Sequence, residues 1–378
     1  MKIKTIPSPE EKLNERNFIA RYWKTMFFEA DKRGASDIHI EPNEPTEGRL
    51  SVRFGIMDDL VVYDTIDDSV NIPSYLTKLE QICGCDVTEK NIAQDKSFYL
   101  PGTRSRYRVS FGPATSFDPE SIVFRIINQG KIPALETCCL PDHFSQDLYN
   151  FLRKKQGIFI TTGPTGSGKT TTCHAGLMHI DRKKKKVISL EDPIERSLPW
   201  VRQYEITPKF NWEDGIRTLM RQKPHVIFVG EIRDRESAKR AMEAANTGHL
   251  VITTMHTNSV SHSFKRLTED FDFSLSNLEA ITLCAAQRLI QILCPDCKIM
   301  DEVSGKFMQG SGCGSCRDKN PGLSGLQPIF EHIFNPSEGD IRSYENTGKI
   351  PVVSTLKDEL AKLIDKGLVD FRNADIYG

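Results

Sequence analysis

Residues 163–170 read Gly163-Pro-Thr-Gly-Ser-Gly-Lys-Thr170, and this stretch decides the fold. It fills every position of G-x-x-x-x-G-K-[ST], a loop that joins a strand to a helix and cradles phosphates. Upstream, Ile158–Thr161 is a short apolar run suited to a buried strand; downstream, Thr170–Met178 can open a helix. Gly163, Gly166 and Gly168 let the backbone curl so that successive N–H groups converge on phosphate oxygens. The helix N-terminus adds partial positive charge. Residues Gly163, Pro164, Thr165, Gly166, Ser167, Gly168, Lys169, Thr170 and Thr171 are therefore the predicted nucleoside triphosphate cradle. Lys169 is expected to reach the β- and γ-phosphates, and the Thr170 hydroxyl to ligate Mg²⁺.

Three further segments follow in order. Val187-Ile-Ser-Leu-Glu-Asp-Pro-Ile-Glu195 is an apolar strand that runs into carboxylates. Acids at a strand's C-terminal end face the crevice where open α/β sheets bind ligands, so Glu191, Asp192 and Glu195 are candidates to position water or metal. Val226-Ile-Phe-Val-Gly-Glu-Ile-Arg-Asp234 is a second such strand, with Glu231 as its candidate catalytic carboxylate. Thr247-Gly-His-Leu-Val-Ile-Thr-Thr-Met-His256 is a strand bracketed by His249 and His256, at least one of which is expected to sense the γ-phosphate.

GPTGSGKTTT, SLEDPIE and VGEIRDRESAKRAMEAANTGHLVITTMHTNS, in that order, resemble the Walker A, Asp box, Walker B and His box of secretion ATPases. That superfamily drives type II secretion and type IV pili. The resemblance spans roughly residues 30–330 and implies an α/β fold. The parts it implies are a RecA-like P-loop ATPase core, a smaller PAS-like N-terminal α/β domain and an inserted zinc knuckle. It further implies a homo-hexameric ring at the cytoplasmic face of the bacterial inner membrane, associated peripherally and acting on a polytopic platform protein. Arg108 and Arg125 occupy its two small-domain arginine positions and are expected to approach ATP on closure. Departures from the pattern occur at Phe117-Asp-Pro-Glu-Ser121, at Arg53-Phe-Gly-Ile-Met-Asp-Asp59 and at His225 after Pro224. The extra N-terminal recruitment domain of many assembly ATPases is expected to be missing.

Of ten cysteines, four are spaced as C-x₂-C-x₁₅-C-x₂-C: Cys294, Cys297, Cys313 and Cys316. Paired C-x-x-C knuckles supply a closed tetrahedral thiolate shell for a structural Zn²⁺, with disulfides as the competing reading in a chain expected to be cytosolic. Cys83, Cys85, Cys138, Cys139, Cys173 and Cys284 lack such spacing and read as buried small hydrophobes. By resemblance, the four-cysteine element is typical of assembly motors rather than retraction motors.

The 378 residues suffice for two domains. The boundaries read as 1–132 for the N-terminal domain, 133–140 for a linker and 141–378 for the ATPase core, with the knuckle at 290–325. Fifty basic against 51 acidic residues give no global field for nucleic acid. No apolar run reaches membrane-spanning length, and the polar start Met1–Lys12 does not suit a secretory signal. Phe18, Ile19, Tyr22, Trp23, Met26 and Phe27 recur at helical spacing, with Gly34 as the stop. Strands are expected near 35–42, 50–54, 60–63, 107–111 and 121–127, with His39 structural. Arg182–Lys186 reads as a solvated loop, with contact to acidic lipid or a neighbouring subunit as the alternative. Beyond about 326, helices with a polar loop near 335–350 are expected. Assembly of a pilus or pseudopilus is the leading function. The alternatives are a retraction motor, a conjugation-type secretion ATPase, a RecA-like nucleic-acid translocase and a non-hydrolysing scaffold.

Overall fold

The computed structural model describes residues 15–376 apart from 43–49, 57–58, 68, 104, 114–120, 129–131, 208 and 317–319. The polar start and most of the segments around 57–59 and 117–121 thus lie outside the described residues. The chain forms two compact units, residues 1–130 with 318–320, and residues 131–317 with 321–378.

In the smaller unit, α1 (Glu15–Arg33) precedes β1 (Asp37–Pro42), β2 (Leu50–Ile56) and β3 (Asp59–Ile66). Helix α2 (Ile72–Cys83) then leads to β4 (Gln94–Tyr99), β5 (Ser105–Phe111) and β6 (Ile122–Asn128). The antiparallel sheet runs β3-β2-β1-β6-β5-β4. The helical spacing in α1 does its expected work: Ile19, Trp23, Met26, Phe27 and Ala30 are buried together. Trp23 Nε1 donates to the Tyr75 carbonyl at 2.8 Å, so the indole meets α2 without losing a hydrogen bond. Phe18 falls on the other face and is exposed. Gly34 ends α1 in the left-handed conformation (φ +69°), and Ala35 N–H returns to the Ala30 carbonyl. Strand β4 has no apolar alternation, since its neighbours supply the packing, and so escaped the sequence reading.

The larger unit begins with α3 (Asp142–Leu152) and continues β7 (Gly157–Thr162), α4 (Lys169–His179), β8 (Val187–Glu191), β9 (Val201–Glu205) and α5 (Trp212–Met220). Then come β10 (Val226–Val229), α6 (Arg235–Asn246), β11 (Leu250–Met255), α7 (Val260–Lys265) and α8 (Leu275–Leu278). Strand β12 (Ile281–Leu293), a ribbon of β13 (Ile299–Met300) and β14 (Phe307–Met308), and β15 (Leu323–Phe334) precede α9 (Glu338–Thr347) and α10 (Leu356–Asp365). The sheet order is β15-β12-β7-β11-β10-β8-β9. All pairings are parallel except β12 with β15. Every residue of β7, β8, β10 and β11 is buried, as continuous apolar runs require in a sheet covered on both faces.

Two expectations are corrected here. The region after 326 is first a strand, because β15 supplies the antiparallel partner that closes the β12 edge, and the polar stretch expected as a loop is helix α9. Ser337 caps that helix through a reciprocal bond with Asp340, so its polar residues serve a solvent-facing helix. Among the unpaired cysteines, Cys83, Cys173 and Cys284 are buried, but Cys85 and Cys138 are half-buried and Cys139 is exposed. Cys139 sits at a turn with φ +51°, where the chain leaves a short 3₁₀ turn at Leu135–Thr137 and cannot bury the side chain.

Phe159 is fully buried in β7 against Phe144 and Phe151. Phe159→Ala should cost about 3–5 kcal/mol through lost burial and a residual cavity. A urea titration of the larger unit's transition measures it; a shift worth less than about 1 kcal/mol would mean the strand repacks.

Candidate nucleotide site and metal centre

Parallel pairing decides which loops meet. Thr162 is in register with Met255, and Val229 with Leu190, so the segments after β7, β8, β10 and β11 leave the same edge of the sheet. That edge is where open parallel sheets bind ligands.

The phosphate loop spans the gap from β7 to α4. Gly163, Gly166 and Gly168 have φ of +151°, +83° and +84°, a run that side chains would oppose. At Gly163 a Cβ would also lie 2.5 Å from the Gln287 carbonyl oxygen. Gln287 itself accepts a hydrogen bond from Thr172 of α4 at 3.0 Å, so β12 backs the loop from behind. Lys169 is almost wholly buried and donates to the carbonyls of Gly163 (2.8 Å) and Pro164 (2.7 Å). Burial lowers its pKa to about 8, against which the field of Glu231, and more weakly of Glu195, acts in the opposite sense.

The acids divide by environment. Glu191 is buried, and its Oε1 accepts from Ser189 (2.5 Å) and Gln203 (2.9 Å), while Oε2 lies 3.4 Å from Nε2 of buried His174. Such a carboxylate holds β8, β9 and α4 together. Glu231 is largely covered, held by the half-exposed Arg233 guanidinium, with His256 Nε2 at 3.4 Å from its Oε2. Arg233 also reaches Asp192 at 3.2 Å, linking the two acidic loops. Burial, with the nearby Lys169 charge, lowers the His256 pKa and favours the neutral ring.

The two histidines are separated. His249 precedes β11 and its carbonyl receives the N–H of Gly157 at the start of β7. It therefore stands at the opposite edge from the phosphate loop, a strand length or roughly 20 Å away. Its Nδ1 lies 3.0 Å from the Ala244 carbonyl at the end of α6. The expectation for His249 as a phosphate sensor is corrected, since a strand of six residues carries its two ends to opposite edges. His256 is the one at the loop edge.

Arg108 and Arg125 are cross-strand partners on β5 and β6 and both are exposed. Like charges directly opposite repel; Asp37, opposite Arg125 on β1, lies 3.9 Å from its Nε.

Residues missed in the sequence include Gln287, Arg233 and Thr257. Thr257 N–H donates to Thr162 Oγ1 at 2.8 Å, tying the His256 segment to the end of β7. The polar pair Gln287-Arg288 inside the apolar run of β12 was the available signal for Gln287.

The four predicted cysteines converge between β12 and β15. Their sulfurs all lie within 4.8 Å of one another. The separations are 3.8 Å (Cys294–Cys313), 3.7 Å (Cys297–Cys316) and 3.8 Å (Cys313–Cys316). A tetrahedron of sulfurs each about 2.3 Å from zinc has edges near 3.8 Å, so the donor set fits Zn²⁺ and not disulfides. The backbone N–H groups of Cys313 and Gly322, each 3.2 Å from Cys316 Sγ, lower that thiol to about 7 and favour the thiolate a metal needs.

A family described as Type II/IV secretion system protein matches residues 12–374, and the chain belongs to it. Among its relatives is the "Type II secretion system ATPase E" of Vibrio cholerae, 35% identical over 340 residues. That match covers 84% of this chain but 65% of the relative. The putative type II secretion system protein E of Escherichia coli is 31% identical over 383 residues, covering 96% of this chain and 76% of the relative. Among solved structures, the ATPase DotB of Legionella pneumophila aligns with a TM-score of 0.70 at 24% identity, covering 94% of this chain and 95% of that one. The pilus retraction motor PilT with bound ADP aligns at 0.63 and 25% identity, covering 92% and 94%.

One Zn²⁺ per chain is expected by elemental analysis of the purified protein. Cys297→Ser should weaken zinc retention at least about tenfold, by analogy with lost ligand-shell contacts, and lower thermal stability. Four freely titrating thiols in the native protein would rule the site out.

Proposed function

We propose that the chain is an Mg²⁺-dependent ATPase whose hydrolysis drives domain motion in a hexameric ring. Its work is assembly of a type IV pilus or type II secretion pseudopilus, at the cytoplasmic face of the inner membrane and through a polytopic platform protein. The observation that carries this reading is the meeting of Lys169, Glu231 and His256 at one sheet edge. Lys169 and the loop N–H groups hold the β- and γ-phosphates. Hard oxygen donors, the Thr170 hydroxyl and the carboxylates of Glu231 and Asp192, fit Mg²⁺, which neutralises phosphate charge when bound. Glu231 orients water, and neutral His256 donates to the γ-phosphate. Glu195 is the better second acid, since Glu191 is spent on its buried partners. Arg108 and Arg125 are the small unit's proposed response to nucleotide. Phosphoryl transfer requires positioning and charge neutralisation, which these groups supply without covalent chemistry.

The assembly direction is favoured by the four-cysteine centre and by the type II secretion relatives. A retraction motor is the second reading, supported by the likeness to PilT. Deleting the gene in its host distinguishes them: loss of surface fibres or secretion marks assembly, and hyperpiliation marks retraction.

Lys169→Ala should abolish turnover, by roughly 10³-fold or more, because the N–H nest alone cannot neutralise the developing charge. Glu231→Gln should keep ATP binding while stopping hydrolysis. ATPase assays paired with nucleotide titrations separate these outcomes, and equal loss of binding in Glu231→Gln would make Glu231 structural.

Lys169 also sets a pH dependence. Its free pKa is about 8, and bound phosphate oxygens favour the protonated form and raise it. ATP affinity should therefore be flat below pH 8 and fall up to about tenfold per unit above it, until the bound-state pKa is reached. Calorimetry in buffers of differing ionisation enthalpy should register proton uptake on binding above pH 8. Affinity that rises with pH would contradict the assignment.

A further inference from the structure

The far edge of the large sheet, opposite the phosphate loop, carries a cavity of about 370 Å³. Its walls are the loop Arg182–Lys186, which ends α4 and opens β8, together with Arg202 at the start of β9. Six cations line it and no carboxylate does. Some of these cations already have structural work. The Arg182 guanidinium donates to the carbonyls of Leu177 (3.0 Å) and Ile180 (3.1 Å), capping α4. Lys184 lies 3.7 Å from Asp181, and Lys186 Nζ donates to the Gln222 carbonyl at 2.6 Å. Lys183, Lys185 and Arg202 have no carboxylate partner among the described residues.

Two neighbours give the cluster a shape that a merely solvated loop does not require. Trp200 is 69% exposed and has φ +64°, a conformation that bulky side chains avoid. That backbone presents the indole on the cavity wall, with Lys183 Nζ 6.0 Å from the ring centroid. His225, also lining the cavity, accepts the Lys186 N–H at Nδ1 (2.9 Å), which leaves its proton on Nε2 as a donor. A concave wall of cations, three of them without a carboxylate partner and one of those, Arg202, laid over the Tyr204 ring, together with a ring donor and an exposed aromatic, matches a compact polyanion. Lysine ammoniums bind phosphate as point charges without demanding a fixed fork geometry.

We propose that this cavity is a second anion site, which binds a phosphate-bearing polyanion apart from the nucleotide site. The ligand is either a soluble oligophosphate or the phosphate headgroup of an anionic lipid, and both present the same chemistry to Lys183, Lys185, Arg202 and His225. The cavity walls continue directly into α4 and β8, whose other ends carry Lys169 and Glu191. The site nevertheless stands independently of the ATPase reading, because its residues share none of that machinery.

The test uses the full chain at low salt with Mg-ADP held saturating. Inorganic tripolyphosphate is titrated by calorimetry, and phosphatidylglycerol–phosphatidylcholine vesicles by flotation, with pure phosphatidylcholine vesicles as control. Binding to either anionic probe is expected, weakened by salt as charge pairing is screened. The Lys183→Glu/Lys185→Glu variant should bind at least about tenfold more weakly while keeping wild-type melting temperature and ATP turnover. Lys183→Gln/Lys185→Gln gives a milder version if reversal disturbs folding. Tryptophan emission should change on binding in the wild type and not in Trp200→Phe. Vesicle binding alone assigns the lipid headgroup, and tripolyphosphate binding assigns the soluble form. No binding to either probe, or binding that both lysine variants retain undiminished, overturns the proposal.

Discussion

Parallel hydrogen bonding of β7, β11, β10 and β8 is the constraint on which the larger unit depends. Strands that run the same way release their following loops at one edge, and here those loops carry Lys169, Glu195, Glu231 and His256. Hydroxyl bonds then fasten the loops to each other. Thr162 Oγ1 meets Thr257 Oγ1 at 2.6 Å, and Thr257 meets Ser263 of α7 at the same distance. The spacing of these groups along the edge is therefore set by backbone register.

Burying Glu191 beneath that edge is costly unless its charge is compensated. Ser189 and Gln203 donate to one oxygen, and the His174 ring faces the other. The three come from β8, β9 and α4, so the helix that begins with Lys169 is tied by its second turn to the strand that leads into the acidic loop. Arg233 performs a similar service nearer the surface, joining Asp192 to Glu231. The site thus has a buried hydrogen-bonded clamp behind it and a partly covered ion-pair network in front.

The four-cysteine centre solves a different problem. Residues 294–322 join β12 to β15, and among the described residues of this segment the regular structure is a ribbon of two two-residue strands. So small an insertion cannot bury enough apolar surface to order itself. Four sulfurs held at tetrahedral spacing supply the missing constraint, as metal binding does when it is coupled to folding. Lys298 Nζ donates to the Gly367 carbonyl and Gln309 N–H to Asp370, so the knuckle is anchored to the segment after α10.

Much of this was legible from residues alone, because local chemistry demanded it. The glycine pattern at 163–168, the apolar strands ending in acids and the C-x₂-C pairs each encode their conformation within a few residues. The tertiary structure decided everything that depends on strand direction and on distant partners. His249 and His256 look equivalent in sequence, and only the parallel register shows that one strand carries them to opposite edges. Glu191 and Glu195 are likewise indistinguishable until Gln203, twelve residues on, is seen to claim the first. Strand β15 and the role of Gln287 were hidden for the same reason: a closing edge strand and a backing amide are defined by the neighbours they meet, and no local pattern specifies those neighbours.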